Sequence, residues 1–124
     1  MSPAAKDAVI LLVEDNPDGR ETLAMMLGLG GHEVHQADTG PAGYESAVHL
    51  HPDVAIVDIG LPGYDGYEVA RRVRAEPGAS DIRLVALTGY GQEEDRRNAL
   101  DAGFDHFLVK PADLDALNKI LAKV

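Results

Sequence analysis

Apolar residues occur along the chain as short continuous runs that alternate with longer stretches, in which apolar positions recur every three or four residues. Short runs are typical of buried strands, and the wider spacing is typical of helices that bury one face. Their alternation predicts five strand–helix units and an α/β fold with a mostly parallel sheet. The predicted strands lie at 9–13, 33–37, 53–58, 82–88 and 104–109, and the predicted helices at 17–29, 41–50, 67–75, 92–102 and 113–124.

Local signals mark the ends of the first predicted helix. Pro17 suits its first turn, where a backbone N–H group would lack a partner anyway, and the pair Gly30–Gly31 ends it. We expect Met25, beside the apolar stripe of this helix, to fill a packing gap, with an exposed contact as the alternative. The stripe expected to face the core consists of Leu23, Met26, Leu27 and Leu29.

Composition and charge narrow the range of functions. A chain of 124 residues makes about one domain, with 1–7 expected as a flexible tail and 8–124 as the folded unit. Acidic residues outnumber basic ones by 21 to 11, the wrong balance for neutralising nucleic-acid phosphates, so we expect no direct nucleic-acid contact. Without cysteine there is no disulfide, thiolate metal site or cysteine nucleophile. The apolar runs are too short for membrane insertion, and the opening residues 1–7 lack the apolar core of a secretory signal, so we expect a cytoplasmic protein.

Charged and polar residues stand at the ends of four predicted strands. Glu14 and Asp15 follow the first, Asp58 ends the third, Thr88 ends the fourth and Lys110 follows the fifth. In open parallel sheets these ends meet at one crevice, so the side chains are expected to lie together. Crowded carboxylates either raise a pKa or hold a cation, and oxygen ligands favour Mg²⁺. The pattern predicts a magnesium site beside a hydroxyl and an ammonium group.

This combination of groups favours phosphoryl transfer onto a carboxylate. A divalent cation, Thr88 and Lys110 together suit a tetrahedral dianion. Asp58 is the expected nucleophile because its strand is central and the acids after the first strand flank it. No general base is needed, since an aspartate is already ionised at neutral pH. A single acid at a strand end is most often a solvated loop residue, so the joint pattern carries the prediction.

Four sequence motifs surround the charged strand ends. They are Val-Glu-Asp-Asn at 13–16, Val-Asp-Ile-Gly-Leu-Pro-Gly-Tyr-Asp-Gly at 57–66, Ala-Leu-Thr-Gly-Tyr at 86–90 and Leu-Val-Lys-Pro at 108–111. Through these motifs the chain resembles, from residue 9 to residue 124, the receiver domain of two-component response regulators. The resemblance implies a doubly wound, flavodoxin-like fold, with a five-stranded parallel sheet of order 2-1-3-4-5 and five helices. The segments 87–96 and 102–105 look most like receivers attached to hybrid sensor histidine kinases.

The resemblance also assigns a metal and a phosphodonor. It implies that Asp58 accepts a phosphoryl group from a phosphohistidine on a histidine kinase or a histidine phosphotransfer domain. Asp15 and Asp58 would ligate Mg²⁺ directly, the Gly60 carbonyl would supply a backbone ligand, and Glu14 would act through bound water. The downstream protein target is left open.

Further positions are implied in phosphate binding and switching. Thr88 and Lys110 would contact the phosphoryl oxygens, and the bond from Lys110 to Pro111 would be cis. The switch aromatic on the fifth strand is Phe107, which lacks the hydroxyl group that a tyrosine would use in switching. Its other interpretation is a simple core residue. The positions that tune phosphate lifetime are Gly60 and Tyr90.

Three functions are compared on these residues. The first is a phosphorylatable signalling switch, which is not a turnover enzyme on a separate substrate. The second is a Mg²⁺-dependent aspartyl phosphatase, which typically carries a second acid two residues after its nucleophile, where this chain has Gly60. The third is a protein-interaction module of the same fold that never becomes phosphorylated. A flavodoxin-like cofactor carrier is disfavoured because the pair Glu14–Asp15 would repel a phosphate.

Two other groups of charged residues are expected to be solvated. The five histidines lack metal-binding spacing with carboxylate support, so surface positions are expected for them. The arginines on the third and fourth predicted helices are expected to form exposed helix faces. They are Arg71, Arg72, Arg74, Arg96 and Arg97.

Overall fold

The computed structural model describes residues 8–89, 91 and 93–123, so the expected tail at 1–7 lies outside the described residues. Strands and helices alternate along the described chain, as the apolar pattern predicts. The elements are β1 (Val9–Val13), α1 (Pro17–Leu29), β2 (Glu33–Ala37), α2 (Gly40–Leu50), β3 (Val54–Asp58), α3 (Gly66–Ala75), β4 (Arg83–Thr88), α4 (Glu93–Ala102), β5 (His106–Val109) and α5 (Leu114–Leu121).

The five strands form one parallel sheet in the order β2-β1-β3-β4-β5, which confirms the expected topology. The helices cover both faces. One apolar cluster packs α2, α3 and α4 against the sheet through residues such as Ala47, Val69 and Ala99. The other packs α1 and α5 through Leu27 and Leu117. Among the described residues, no helix is long and apolar enough to cross a bilayer.

The central strands are apolar throughout because both of their faces are covered. In β1, Leu11 and Val13 join one cluster, while Ile10 and Leu12 join the other, and all four are at most 1% exposed. Strand side chains alternate between faces, so a strand between two helical layers needs apolar residues at every position. Each such side chain stabilises the fold by about 1.5–3 kcal/mol relative to an exposed one.

Side-chain caps fix where the helices begin. The Asn16 side chain accepts hydrogen bonds from the amides of Asp18 and Gly19 at the start of α1. Asp65 caps α3 in the same way. Asp113, predicted as the first residue of the last helix, is instead its N-cap, because its carboxylate accepts from the Asp115 amide. The predicted start of α4 at Gln92 lies outside the described residues. The predicted end of α5 at Val124 is wrong, because the helix ends at Leu121 and the Lys123 amide donates to the Ile120 carbonyl in a turn.

The predicted start of the fifth strand is wrong by two residues. β5 begins at His106, whereas Phe104 donates its amide to the Ala99 carbonyl and closes α4. Phe104 is apolar and only 3% exposed, so in the sequence it extends the apolar run of the strand that follows. Its backbone hydrogen bond goes back to the helix, and the sheet ladder starts only after Asp105 donates to the Leu84 carbonyl.

The apolar stripe predicted for α1 is partly wrong. Ala24 and Leu27 are buried, but Met26 is 40% exposed and Leu29 is 82% exposed. Met25, expected to fill a packing gap, is instead 65% exposed. The sheet covers only a narrow face of α1, and the helix has more apolar side chains than this face can bury. The side chains of Met25, Met26 and Leu29 therefore project into solvent.

Arg74 is not part of a solvated helix face. Its guanidinium donates to the carbonyls of Gly103, Ser80 and Ile82 at 2.7–2.9 Å, and to the Asp105 carboxylate at 2.7 Å. The side chain therefore ties the end of α3 to the loops before β4 and β5. A planar group with five donors suits several acceptors in fixed positions, which the sequence pattern does not reveal.

Candidate functional site

Three carboxylates meet at the C-terminal edge of the sheet. Val13 of β1 lies beside Val57 of β3 in register, so Glu14 and Asp58 leave adjacent strands at the same level. Ligand oxygens of Glu14, Asp15 and Asp58 all lie within 4.8 Å of one another. Glu14 and Asp58 are 5% and 6% exposed, while Asp15 faces solvent. The predicted acidic cluster is thus assembled from two neighbouring strand ends.

Lys110 joins this cluster from the far end of β5. Its Nζ lies 2.8 Å from Glu14 Oε1 and 2.8 Å from Asp58 Oδ2. Burial alone would lower the pKa of Lys110, but the hydrogen bonds to Asp58 and Glu14 outweigh it and raise the pKa above its ordinary value. The ammonium group therefore stays charged at neutral pH. It links the expected acceptor to the expected water-mediated metal ligand.

The backbone around Asp58 is held from both sides. The Gly60 amide donates to Asp58 Oδ1 at 3.2 Å, and the Ile59 amide donates to the Leu87 carbonyl at 3.1 Å. Gly66, at the start of α3, packs so closely that an added Cβ would lie 2.5 Å from the Asp58 carbonyl oxygen. Only glycine fits there, so α3 begins directly against the strand that carries Asp58.

Thr88 and the cis peptide complete the strand-end set. Thr88 ends β4, the strand beside β3, and is 5% exposed. The Lys110 amide donates to the Thr88 carbonyl at 2.7 Å, which ties the end of β5 to the end of β4. The bond from Lys110 to Pro111 is cis, as the resemblance implies.

The predicted switch and lifetime positions are only partly described. Phe107 is half-buried, lies beside Ala86 of β4 in register and packs against the cluster under α2, α3 and α4. Gly60 lies next to the Asp58 carboxylate. Tyr90 lies outside the described residues. The structure thus brings together the acids, Thr88, Lys110 and Gly60, with Phe107 farther back in the sheet.

The donor set suits a hard divalent cation. Three carboxylates and one ammonium group give this edge a net charge of −2, and two of the three carboxylates, those of Glu14 and Asp58, are buried. Mg²⁺ is bound through one or two carboxylates and keeps several waters, which an exposed ligand such as Asp15 permits. Without histidine or cysteine in the cluster, the softer transition metals are less well matched.

Sequence reasoning missed two features beside the acids. Arg20, on α1, donates Nη1 to the Glu14 carbonyl at 2.9 Å and Nε to Gln36 Oε1 at 3.0 Å. An apolar groove of about 640 Å³ opens between α1 and the segment after β5. Its walls include Leu23, Met26, Leu87, Pro111 and Ala112. A lone arginine after an acidic strand end is only a weak indication of a structural role. The groove could not be predicted because it depends on how the elements pack against each other.

Known proteins share this chain's family and fold. The family model described as "Response regulator receiver domain" matches residues 10–122. The chain is 36% identical over 115 residues to the DNA-binding dual master transcriptional regulator RpaA of Synechocystis, covering 93% of this chain and 46% of that protein. It is 33% identical over 117 residues to protein PilH of Pseudomonas aeruginosa, covering 94% and 97%. The chain thus spans less than half of RpaA and nearly all of PilH.

Solved receiver structures match over nearly the whole chain. The receiver domain of sensor histidine kinase PA1611 from Pseudomonas aeruginosa, described with a magnesium ion coordinated in the active site cleft, is 34% identical with a TM-score of 0.87. That match covers 94% of this chain and 96% of the other. Chemotaxis protein CheY4 of Vibrio cholerae is 28% identical with a TM-score of 0.87, covering 95% and 98%. The chain therefore belongs to the response regulator receiver domains of two-component signalling.

Proposed function

We propose that Asp58 is the phosphoacceptor of a two-component phosphorelay, and that its phosphorylation with Mg²⁺ changes the protein contacts of this domain. The observation that carries this proposal is the position of Lys110, with Nζ 2.8 Å from both Asp58 Oδ2 and Glu14 Oε1. The Asp58 carboxylate is buried and ion-paired with an ammonium group, and two further acids and a threonine lie beside it. This set of groups suits the binding of a phosphoryl group.

The proposed donor is a phosphohistidine. An Asp58 carboxylate oxygen forms a bond to phosphorus, and the bond from phosphorus to the imidazole nitrogen breaks. The imidazole leaves with the electron pair and takes up a proton. Asp58 needs no general base, because a carboxylate that is ion-paired with Lys110 attacks through an oxygen lone pair and has no proton to lose. Lys110 and the Thr88 hydroxyl would then bind phosphoryl oxygens, so that the charge of the new group is met by donors already at the acceptor.

Asp15, Asp58 and the Gly60 carbonyl are the proposed direct ligands of Mg²⁺, with Glu14 acting through water. Bound Mg²⁺ would offset the repulsion between the carboxylates and the incoming phosphoryl oxygens. This assignment is supported by the spacing of the three carboxylates within 4.8 Å. It is also supported by the magnesium ion described in the cleft of the similar PA1611 receiver domain.

The switch is proposed to act through a shift between two conformers. A phosphoryl group on Asp58 would give Lys110 and Thr88 a new partner, and the movement of Thr88 would leave space on its strand. Phe107, half-buried one strand away, is the proposed side chain that turns toward this space. Gly60 and Tyr90 are the proposed positions that set phosphate lifetime. Phosphorylation would change the populations of the two conformers.

The proposed donor surface is α1 and the adjoining groove. Met25, Met26 and Leu29 are exposed on this helix, and Met26 also lines the groove that reaches Glu14 and Lys110. Exposed apolar side chains beside a reactive group suit a protein that must deliver its phosphohistidine there. We propose a histidine kinase or a histidine phosphotransfer domain as that protein. We also propose that the domain meets this protein in the cytoplasm.

Intact-mass measurement tests the proposed chemistry. The protein is incubated with acetyl phosphate and Mg²⁺, with and without chelator, alongside Asp58→Asn. We expect a gain of one phosphoryl group in the wild type with the metal and no gain in the other samples. Uptake by Asp58→Asn would contradict the acceptor assignment. No uptake by the wild type would favour an interaction module that is never phosphorylated, and multiple turnover of a separate phosphoester would favour a phosphatase.

A further inference from the structure

We propose that Arg20 is a positioning residue that holds the loop between β1 and α1 in the geometry needed for Mg²⁺ binding. This inference rests on the proposed metal site and assigns Arg20 a role beyond it. Arg20 is half-buried and lies one turn into α1, where its amide donates to the Asn16 carbonyl at 2.9 Å. It is therefore fixed to the helix end of the loop that carries Glu14 and Asp15.

The guanidinium of Arg20 joins three elements. Nη1 donates to the Glu14 carbonyl at 2.9 Å, and Nε donates to Gln36 Oε1 at 3.0 Å. Gln36 is on β2, which is an edge strand of the sheet and pairs with β1. The guanidinium thus links the first turn of α1 to the peptide between Glu14 and Asp15 and to β2. A rigid guanidinium fixes two acceptors in one plane, which a flexible ammonium group cannot do.

The bond to the Glu14 carbonyl controls the direction of Asp15. This carbonyl and the Asp15 amide belong to the same planar peptide, so fixing one fixes the other. The Glu14 amide donates to the Ala37 carbonyl at 3.0 Å, and Glu14 Oε2 accepts from the Asn16 amide at 3.1 Å. Between these two hydrogen bonds, Arg20 holds the peptide that joins Glu14 to Asp15 through its bond to the Glu14 carbonyl. Its loss would free that peptide and the carboxylate of Asp15 that follows it.

Charge and geometry predict opposite effects on metal binding. Arg20 is a cation close to the acids, so as a charge alone it would repel Mg²⁺, and its removal would strengthen binding. As a positioning residue it presents the ligands in place, and its removal would weaken binding. Groups that orient metal ligands typically change metal affinity by about 10–100-fold. Gln36 is neutral, so its truncation changes the anchor without changing the charge.

The test is a Mg²⁺ titration followed by amide chemical shifts in four proteins: wild type, Arg20→Ala, Gln36→Ala and Arg97→Ala. Exposed Arg97 on α4 controls for the loss of one positive charge. We expect affinity to fall about tenfold in Arg20→Ala, to fall less in Gln36→Ala and to stay unchanged in Arg97→Ala. Denaturant unfolding in chelator verifies that each variant is folded, and Gln36→Ala carries the test should Arg20→Ala fail to fold.

The outcomes separate this inference from the proposed function. Saturable binding by the wild type with equal or tighter binding by Arg20→Ala and Gln36→Ala would overturn the role of Arg20 and leave the metal site standing. No saturable binding by the wild type would overturn the metal site and the role of Arg20 with it. Weaker binding by both variants, with Arg97→Ala like the wild type, supports positioning.

Discussion

Lys110 Nζ lies 2.8 Å from Asp58 Oδ2, so the proposed acceptor is already ion-paired in this conformation. The same ammonium group lies 2.8 Å from Glu14 Oε1 and therefore holds two buried carboxylates together. We therefore expect two roles for Lys110. It offsets the repulsion between the acids in the unphosphorylated domain, and it would bind the phosphoryl group once Asp58 is phosphorylated.

Replacing Lys110 with alanine should affect stability and switching separately. Without the ammonium group, Glu14 and Asp58 remain buried as unpaired like charges. We expect a loss of about 1–2 kcal/mol in unfolding free energy, less than for a fully buried pair because the Lys110 side chain is 35% exposed. Added Mg²⁺ should restore part of this loss, since it supplies positive charge to the same carboxylates.

Denaturant unfolding with and without Mg²⁺ measures these effects, with the exposed Lys119→Ala as a matched control. Lys110→Ala should still take up a phosphoryl group, but its amide shifts should change less on phosphorylation than those of the wild type. Wild-type shift changes in this variant would contradict a role for Lys110 in switching. Wild-type stability in metal-free buffer would contradict its role as counter-charge.

The close contact between Gly66 and the end of β3 predicts that a larger residue at position 66 destabilises the domain. In Gly66→Ala the new Cβ would lie 2.5 Å from the Asp58 carbonyl oxygen and 2.8 Å from Ile59 Cα, and both are backbone atoms. The end of β3 must move, so we expect a loss of about 1–3 kcal/mol and slower phosphorylation. Gly28→Ala is the control, since nothing lies within 4 Å of its added Cβ and alanine favours the helix. Equal stability of the two variants would argue against this close contact.

Arg74 should be far more important for stability than an exposed arginine. Arg74→Ala removes donors from three carbonyls and from the Asp105 carboxylate, which also accepts the Leu84 amide. We expect a loss of about 2–3 kcal/mol in unfolding free energy. Arg74→Lys should lose less because it keeps the positive charge, but it should not reach the wild-type value because lysine lacks the planar fork. Arg71→Ala, on the exposed side of α3, should change stability by less than about 0.5 kcal/mol. Similar values for the two alanine variants would contradict the clamp.

His106 should make stability depend on pH below neutrality. Burial, followed by the positive charge of Arg83, lowers the pKa of His106 in the folded domain. The unfolded chain therefore binds the proton more readily, and stability falls as pH drops below the unfolded value of about 6.5. Above that value the contribution is complete. The stability of His106→Gln should fall less over this interval, and His49→Gln, at an exposed helix position, is the control.

Unfolding curves recorded at several pH values between about 7.5 and 5 measure this difference. Parallel curves for wild type and His106→Gln would show that His106 has no part in the acid sensitivity. A difference that widens as pH falls, without one in His49→Gln, is the expected result.

The site could be predicted from the sequence because parallel strands bring their ends together. Glu14, Asp58, Thr88 and Lys110 are far apart in the chain, yet each stands at or just after an apolar run. Strand topology required the resemblance, since apolar runs alone do not order strands in a sheet. The Asp113 error has a simple cause, because a cap and a first helical residue differ only in backbone angles.

The features that sequence reasoning missed depend on tertiary packing. Met26 and Leu29 have apolar side chains at helical spacing, but the sheet covers only a narrow face of α1. Arg74 donates mainly to backbone carbonyls, and Arg20 donates to one carbonyl and one side chain. Backbone acceptors have no side-chain signature in the sequence. A pattern of residue types shows which charges are present but not which carbonyls they meet. Long side chains with several donors were therefore the least predictable.

Locating the phosphoryl group chemically is the decisive test of Asp58 as the acceptor. The wild type is treated with acetyl phosphate and Mg²⁺, reduced with borohydride and digested for peptide mass analysis. An acyl phosphate on Asp58 would be reduced to homoserine at that position only, and we expect this conversion in the peptide that contains residues 54–58. Conversion at Asp15 or another acid, with Asp58 intact in a phosphorylated sample, would show that Asp58 is not the acceptor.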